Sequence, residues 1–118
     1  MMQDIVEYPL FSGAKKIGTF YSNKERTDFS TKLIDGLTFF ETPIDFWPGY
    51  LKGEREFGHK LTYAWMCDRV TPPGRQNIDD FLENAGLKEY DVAGLFFHAK
   101  GRSCRDDNAI IEPFINKG

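Results

Sequence analysis

Leu61–Pro113, LTYAWMCDRVTPPGRQNIDDFLENAGLKEYDVAGLFFHAKGRSCRDDNAIIEP, decides how the chain folds. From His59 to Arg69 the residues carry helical period, with Leu61, Ala64 and Trp65 on one apolar stripe. The run then meets Thr71-Pro72-Pro73-Gly74. Pro72 disfavours a helical conformation at Thr71, so this helix should stop near Val70. Arg75–Ala85 restarts the pattern, with Ile78, Phe81, Leu82 and Ala85 on one face and Asp79, Asp80 and Glu83 on the solvated one. Gly86 stands where a left-handed C-terminal stop belongs. Asp91 is the expected N-cap of a third helix over VAGLFFHAK, ended by Gly101. Asp106-Asp107-Asn108 reads as a turn, and Ala109–Ile115 as a closing strand that would pair with an N-terminal hairpin.

Upstream, the period changes from helix to strand. Residues 5–11, IVEYPLF, mix β-branched and aromatic residues and read as a strand, with Pro9 asking for an edge position or a bulge. Ser12-Gly13-Ala14 is a turn, and residues 15–21, KKIGTFY, form the second arm of a hairpin. Strict alternation puts Ile17 and Thr19 on one face and Phe20 on the other. Ser22–Asp28 is polar loop, and Phe29–Leu33 a third short strand. The expected fold is therefore α+β, a small antiparallel sheet of three or four strands with about three short helices on one face.

Between these halves, residues 36–58 hold Phe39, Phe40, Phe46, Trp47, Tyr50 and Phe57, punctuated by Pro43, Pro48 and glycines that break any long helix. Two readings stand: an irregular segment packed as a lid on the core, or an exposed partner surface around Trp47 and Tyr50.

At 118 residues the chain suits a single domain, 1–118, large enough to bury a core without disulfides or metal. Two cysteines, Cys67 and Cys104, do not make a disulfide framework. No stretch approaches the roughly 20 apolar residues of a membrane span. With no leader-like start, a soluble, cytoplasmic protein is expected. A net charge of -3 argues against bulk attraction to nucleic acid or an anionic membrane.

The clustered arginines are the strongest binding candidates. Arg69, Arg75, Arg102 and Arg105 flank the Pro-Pro turn and the Gly101-Arg102-Ser103-Cys104-Arg105 turn. If those turns are neighbours, the guanidiniums would converge on a phosphate or carboxylate, because arginine offers a planar donor fork. The competing reading is internal pairing with Asp68, Asp106, Asp107 or loop carbonyls. Helix-turn-helix DNA reading is disfavoured, since Asp79, Asp80 and Glu83 would face phosphates. His59, Cys67, His98 and Cys104 are zinc-ligand types, but H-x7-C and H-x5-C lack the short pairing that defines such sites. A Cys–His nucleophile lacks a legible third group. No phosphate-cradling or dinucleotide glycine motif is present. No enzymatic activity, metal or cofactor is expected.

The spacing Leu61-x3-Trp65-Met66-x2-Arg69-x2-Pro72-x2-Arg75, then Ile78-x3-Leu82-x3-Gly86-Leu87, Gly94-Leu95, Gly101-x-Ser103-x2-Asp106 and Ile111-x-Pro113, resembles small modules found with HipA-type kinases in bacterial toxin–antitoxin and mobile-element loci. The likeness covers roughly the C-terminal half. Asp107-Asn108-Ala109-Ile110 departs from it, where aromatic residues would precede the closing strand. The kinase's nucleotide loop and catalytic aspartates are absent, so the resemblance implies an accessory module rather than phosphotransfer. It implies a non-enzymatic protein-binding or regulatory protein with a protein partner. The alternatives are a phosphate or nucleic-acid binder using the arginines, or a phage-borne inhibitor of a host defence system.

Overall fold

The computed structural model describes residues 5–38, 40–102 and 108–110. Five strands form one antiparallel sheet in the order β4-β3-β2-β1-β5. They are β1 (Ile5–Ser12), β2 (Lys15–Asn23), β3 (Phe29–Leu33), β4 (Glu56–Phe57) and β5 (Asn108–Ile110). The helices are α1 (Trp47–Leu51), preceded by a 3-10 turn at Ile44–Phe46, α2 (His59–Arg69), α3 (Ile78–Asn84) and α4 (Val92–His98). The α+β class expected from the sequence is the observed one.

The β1–β2 hairpin turns through two residues, with Gly13 in the left-handed region at φ 60°. Its register slips between Leu10 and Phe11, one residue after Pro9. That bulge corrects strict alternation: Ile17 and Phe20 are both fully buried, not on opposite faces. β2 also runs on through Ser22 and Asn23, which the sequence assigned to loop. The Asn23 carboxamide then closes the turn, its Oδ1 accepting from the Thr27 and Asp28 amides at 2.8 and 3.1 Å.

One face of the sheet carries Tyr8, Leu10, Phe20, Phe29 and Leu33 into a single cluster with Phe46, Phe57, Trp65, Met66, Phe96 and Phe97. α2 and α4 deliver the last four. Phe20 is the hub, with ring centroids 5.2 Å from Phe96, 5.8 Å from Phe29 and 6.1 Å from Trp65. The buried face of α2 is rotated from the expected stripe: Thr62, Trp65 and Met66 are inside, whereas Leu61 and Ala64 are exposed. A hydroxyl explains this. Thr62 Oγ1 lies 3.0 Å from Thr31 Oγ1 of β3, so a polar residue faces the core with its partner already there.

The aromatic segment is more regular than its prolines suggest. Pro48 sits in the first turn of α1, where its missing N–H costs nothing. β4 adds an unforeseen edge, pairing Phe57 with Thr31 and Glu56 with Lys32. β5 pairs with Leu10–Ser12 of β1 as expected of a closing strand. Its expected continuation over 111–115 lies outside the described residues.

Helix ends set up the far end of the molecule. α2 stops at Arg69 and Val70 turns extended, as Pro72 dictates. α3 begins at Ile78, three residues later than expected, because Arg75–Asn77 remain in turns. Gly86, at φ 73°, ends it in a Schellman motif, with Leu87 N–H on the Leu82 carbonyl at 2.8 Å. Leu82, buried in α3, lies outside the central cluster. Asp91 occupies the N-cap position of α4, but its carboxylate makes no capping bond. Lys100 takes the left-handed position after α4 at φ 57°, and Gly101 follows, its N–H on the Phe96 carbonyl at 2.9 Å.

Candidate functional site

The C-terminal ends of α2 and α4 lie side by side. Arg69 Nε donates to the Gly101 carbonyl at 2.7 Å, linking the two ends across the fold. The same guanidinium sits 5.0 Å from the Trp65 ring centroid, anchored against the core. Tyr90 Oη donates to the Thr71 carbonyl at 2.8 Å and pins the Pro72-Pro73 turn. Arg75 follows that turn, its Nε donating to Asn77 Oδ1 at 3.2 Å and its guanidinium 5.1 Å from the Phe81 centroid.

These restraints frame a cleft of about 680 Å³. Arg69, Arg75 and Arg102 all line it, with Asp68, Asn84 and His98. The two turns are thus neighbours, and three of the four sequence-predicted arginines line the same cleft. Arg105, with Cys104, lies outside the described residues. Of the two sequence readings, the internal one is seen directly at Arg69, which serves the Gly101 loop carbonyl. Among the described residues neither Arg75 nor Arg102 is paired with a carboxylate. The convergence was foreshadowed by the arginines' placement at helix ends.

Cys67 and His98 line the same cleft. Burial, with the neighbouring Asp68 charge, pushes the Cys67 thiol up from the ordinary value. A thiol raised in this way is protonated at neutral pH and a poor nucleophile. His59 is elsewhere, its Nδ1 accepting the Phe29 N–H at 3.0 Å, which fixes the ring beside β3. Among the described residues no three His, Cys, Asp or Glu side chains are grouped to hold a metal ion.

One pairing was not legible in the sequence. Asp45, in the turn before α1, hydrogen-bonds to Asp68 at the end of α2. Burial first, then this bond and the Asp68 charge, raise Asp45 to about 6, with Arg69 pulling the other way. The neighbouring Asp68 carboxylate thus favours the protonated form of Asp45.

Trp47 and Tyr50 lie apart from the arginines. They line a second cleft, of about 370 Å³, with Leu37, Thr38, Thr42 and Leu51. Both rings are half-buried and tied to backbone. Trp47 Nε1 donates to the Thr42 carbonyl at 2.7 Å. Tyr50 Oη donates to the Ile34 carbonyl at 3.0 Å and accepts the Leu37 N–H at 2.8 Å. Arg55 stacks 3.7 Å above the Tyr50 ring and bonds Asp35 at 2.7 Å.

No family model, curated protein or solved structure matches the chain. Function therefore has to be argued from these two clefts. Among the described residues no helix is long and apolar enough to cross a membrane.

Proposed function

We propose that this chain is a non-enzymatic binding module that holds an anionic group, phosphate or carboxylate, between Arg69, Arg75 and Arg102. The observation that carries the reading is that three arginines, two flanking the Pro-Pro turn and one following α4, line one cleft of a chain whose net charge is -3. Arginine's planar fork suits such groups, and Arg69 is already oriented by Gly101 and Trp65. The raised Cys67 thiol supports binding over catalysis. The resemblance of the C-terminal half to modules accompanying HipA-type kinases favours a cytoplasmic regulatory role of toxin–antitoxin or mobile-element type. In that role the anion belongs to the regulated partner.

Amide chemical-shift titration with inorganic pyrophosphate tests the site. The expected shifts cluster at residues 68–75, 98 and 102, weaken with added salt, and vanish in the Arg75→Ala/Arg102→Ala variant. Shifts that persist undiminished in that variant, or none at all, reject the proposal.

A second reading rests on a different observation. The Trp47–Tyr50 segment exposes Phe40 at 98%, Ile44 at 67% and Leu51 at 66%, beside an apolar cleft. Exposed apolar side chains around half-buried aromatics suit a protein partner. A bacterial protein captured by the wild type and lost by Leu51→Glu, with the fold intact, is the expected result. Capture unchanged by Leu51→Glu removes this reading.

A further inference from the structure

Resting on the anion-binding reading, we infer that the arginine cleft takes a mononucleotide, with its phosphate on the guanidiniums and its base against the apolar wall. The first reason is size. A bare phosphate needs only a few donors, whereas an open cleft of about 680 Å³ has room for a whole small organic ligand.

The second reason is the wall. Val70, Phe81 and Leu95 line the cleft together with the charged groups. A site for inorganic anion alone gains nothing from them, but a flat heterocycle does. Phe81 offers an aromatic ring of the kind on which nucleobases stack, beside the Arg75 guanidinium 5.1 Å from its centroid.

The third reason is the pattern of polar groups. Asn84, at the end of α3, carries a carboxamide with both donors and an acceptor, the combination that pairs with base edges. Asp68 gives the cleft a mixed sign. A carboxylate there repels a polyanion, yet accepts from a ribose hydroxyl or an exocyclic amine. The exposed Asp79, Asp80 and Glu83 of α3 likewise oppose a longer nucleic acid strand. One phosphate attached to one base satisfies all three conditions.

Calorimetric and chemical-shift titrations separate this inference from the reading beneath it. The probes are AMP, GMP, CMP and UMP, with ribose 5-phosphate, inorganic phosphate and a single-stranded dodecanucleotide, all at one ionic strength. At least one nucleotide is expected to bind about tenfold or more tightly than ribose 5-phosphate, the contribution of one stacked base. Phe81→Leu and Asn84→Ala should each erase most of that advantage, read as the ratio of nucleotide to ribose 5-phosphate affinity within the same variant, since Phe81 also supports Arg75. Asn84 is exposed, so its variant tests the base contact without disturbing the fold. Equal binding of ribose 5-phosphate and every nucleotide overturns the inference and leaves the anion site standing. Tighter binding of the dodecanucleotide overturns it in favour of a polymer. Nucleotide shifts mapping outside the cleft overturn it as well. No binding by any phosphate probe removes both the inference and the anion site.

Discussion

The Thr31–Thr62 pair offers a direct measurement of how β3 and α2 are joined. Both residues are sealed from solvent, at 2% and 0% exposure, and their Oγ1 atoms are 3.0 Å apart. Thr62 Oγ1 also donates to the Phe57 carbonyl at 3.3 Å. A hydroxyl has one proton to give, so Thr62 spends it on Phe57 and Thr31 must donate to Thr62. The two valine variants are therefore unequal. Thr31→Val removes one net hydrogen bond and strands no donor, at about 1 kcal/mol. Thr62→Val leaves the Thr31 proton and the Phe57 carbonyl without this partner, at roughly 2 to 3 kcal/mol. In the double variant the stranded Thr31 donor disappears, so the total should fall short of the sum by about 1 to 2 kcal/mol. Urea unfolding followed by tryptophan fluorescence, with the core Trp65 as reporter, measures all four corners of the cycle. Thr62→Val costing no more than Thr31→Val, or single costs that add within about 0.3 kcal/mol, would refute the assigned donor direction and the coupling it implies.

Three further outcomes follow from the geometry. Asp45 titrates at about 6 in the folded chain, above an ordinary carboxyl, so its stabilising contribution is complete below roughly pH 4 and is lost as pH rises through about 6. Asp45→Asn should abolish that slope and gain roughly 1 kcal/mol at pH 7.5 after allowance for solvent screening; parallel pH–stability curves for wild type and variant contradict this. A Cβ at Gly18 would meet the Lys32 carbonyl oxygen and Leu33 Cα of the paired strand, whereas one at Gly94 meets the movable ends of Leu87 and Asp91. Gly18→Ala is expected to cost about 2 kcal/mol in urea unfolding and Gly94→Ala close to none, since alanine's helix propensity offsets the crowding. Tyr50→Phe removes the bonds to Ile34 and Leu37 and should cost roughly 1 to 2 kcal/mol, with loosening seen by amide exchange at Leu37.

The elements legible in the sequence are those governed by neighbours along the chain. Gly13 closing the hairpin, Pro72 stopping α2 and Gly86 ending α3 act within a few residues, and each appears where its chemistry places it. What escaped is governed by neighbours in space. Periodicity put Leu61 inside because it counts apolar residues. Thr62 is inside because Thr31, thirty-one residues earlier, supplies its hydrogen bond. β4 consists of two residues, and only β3 beside it makes them a strand. Ile17 joined Phe20 in the core through a bulge that leaves it without a register partner between Lys16 and Gly18, visible only once β1 is paired alongside.

The candidate site divides along the same line. Arginines beside turns are visible in one dimension, and three of them share a cleft because α2 and α4 end side by side. Asp45 meeting Asp68 had no such marker, since a carboxylate in a turn and another on a helix are individually ordinary. That meeting bears on binding. Asp68 belongs both to the acidic pair and to the lining of the arginine cleft, so protonation of Asp45 removes negative charge beside the cleft's edge. Ionisation of Asp45 restores that charge near Arg69, so the proposed anion site should weaken as pH rises through about 6. The net charge of -3 and a basic cleft are therefore compatible. The acidic residues are distributed over α3 and the outer surface, and the cleft's character is set by which few charges the fold brings within about one Debye length of each other.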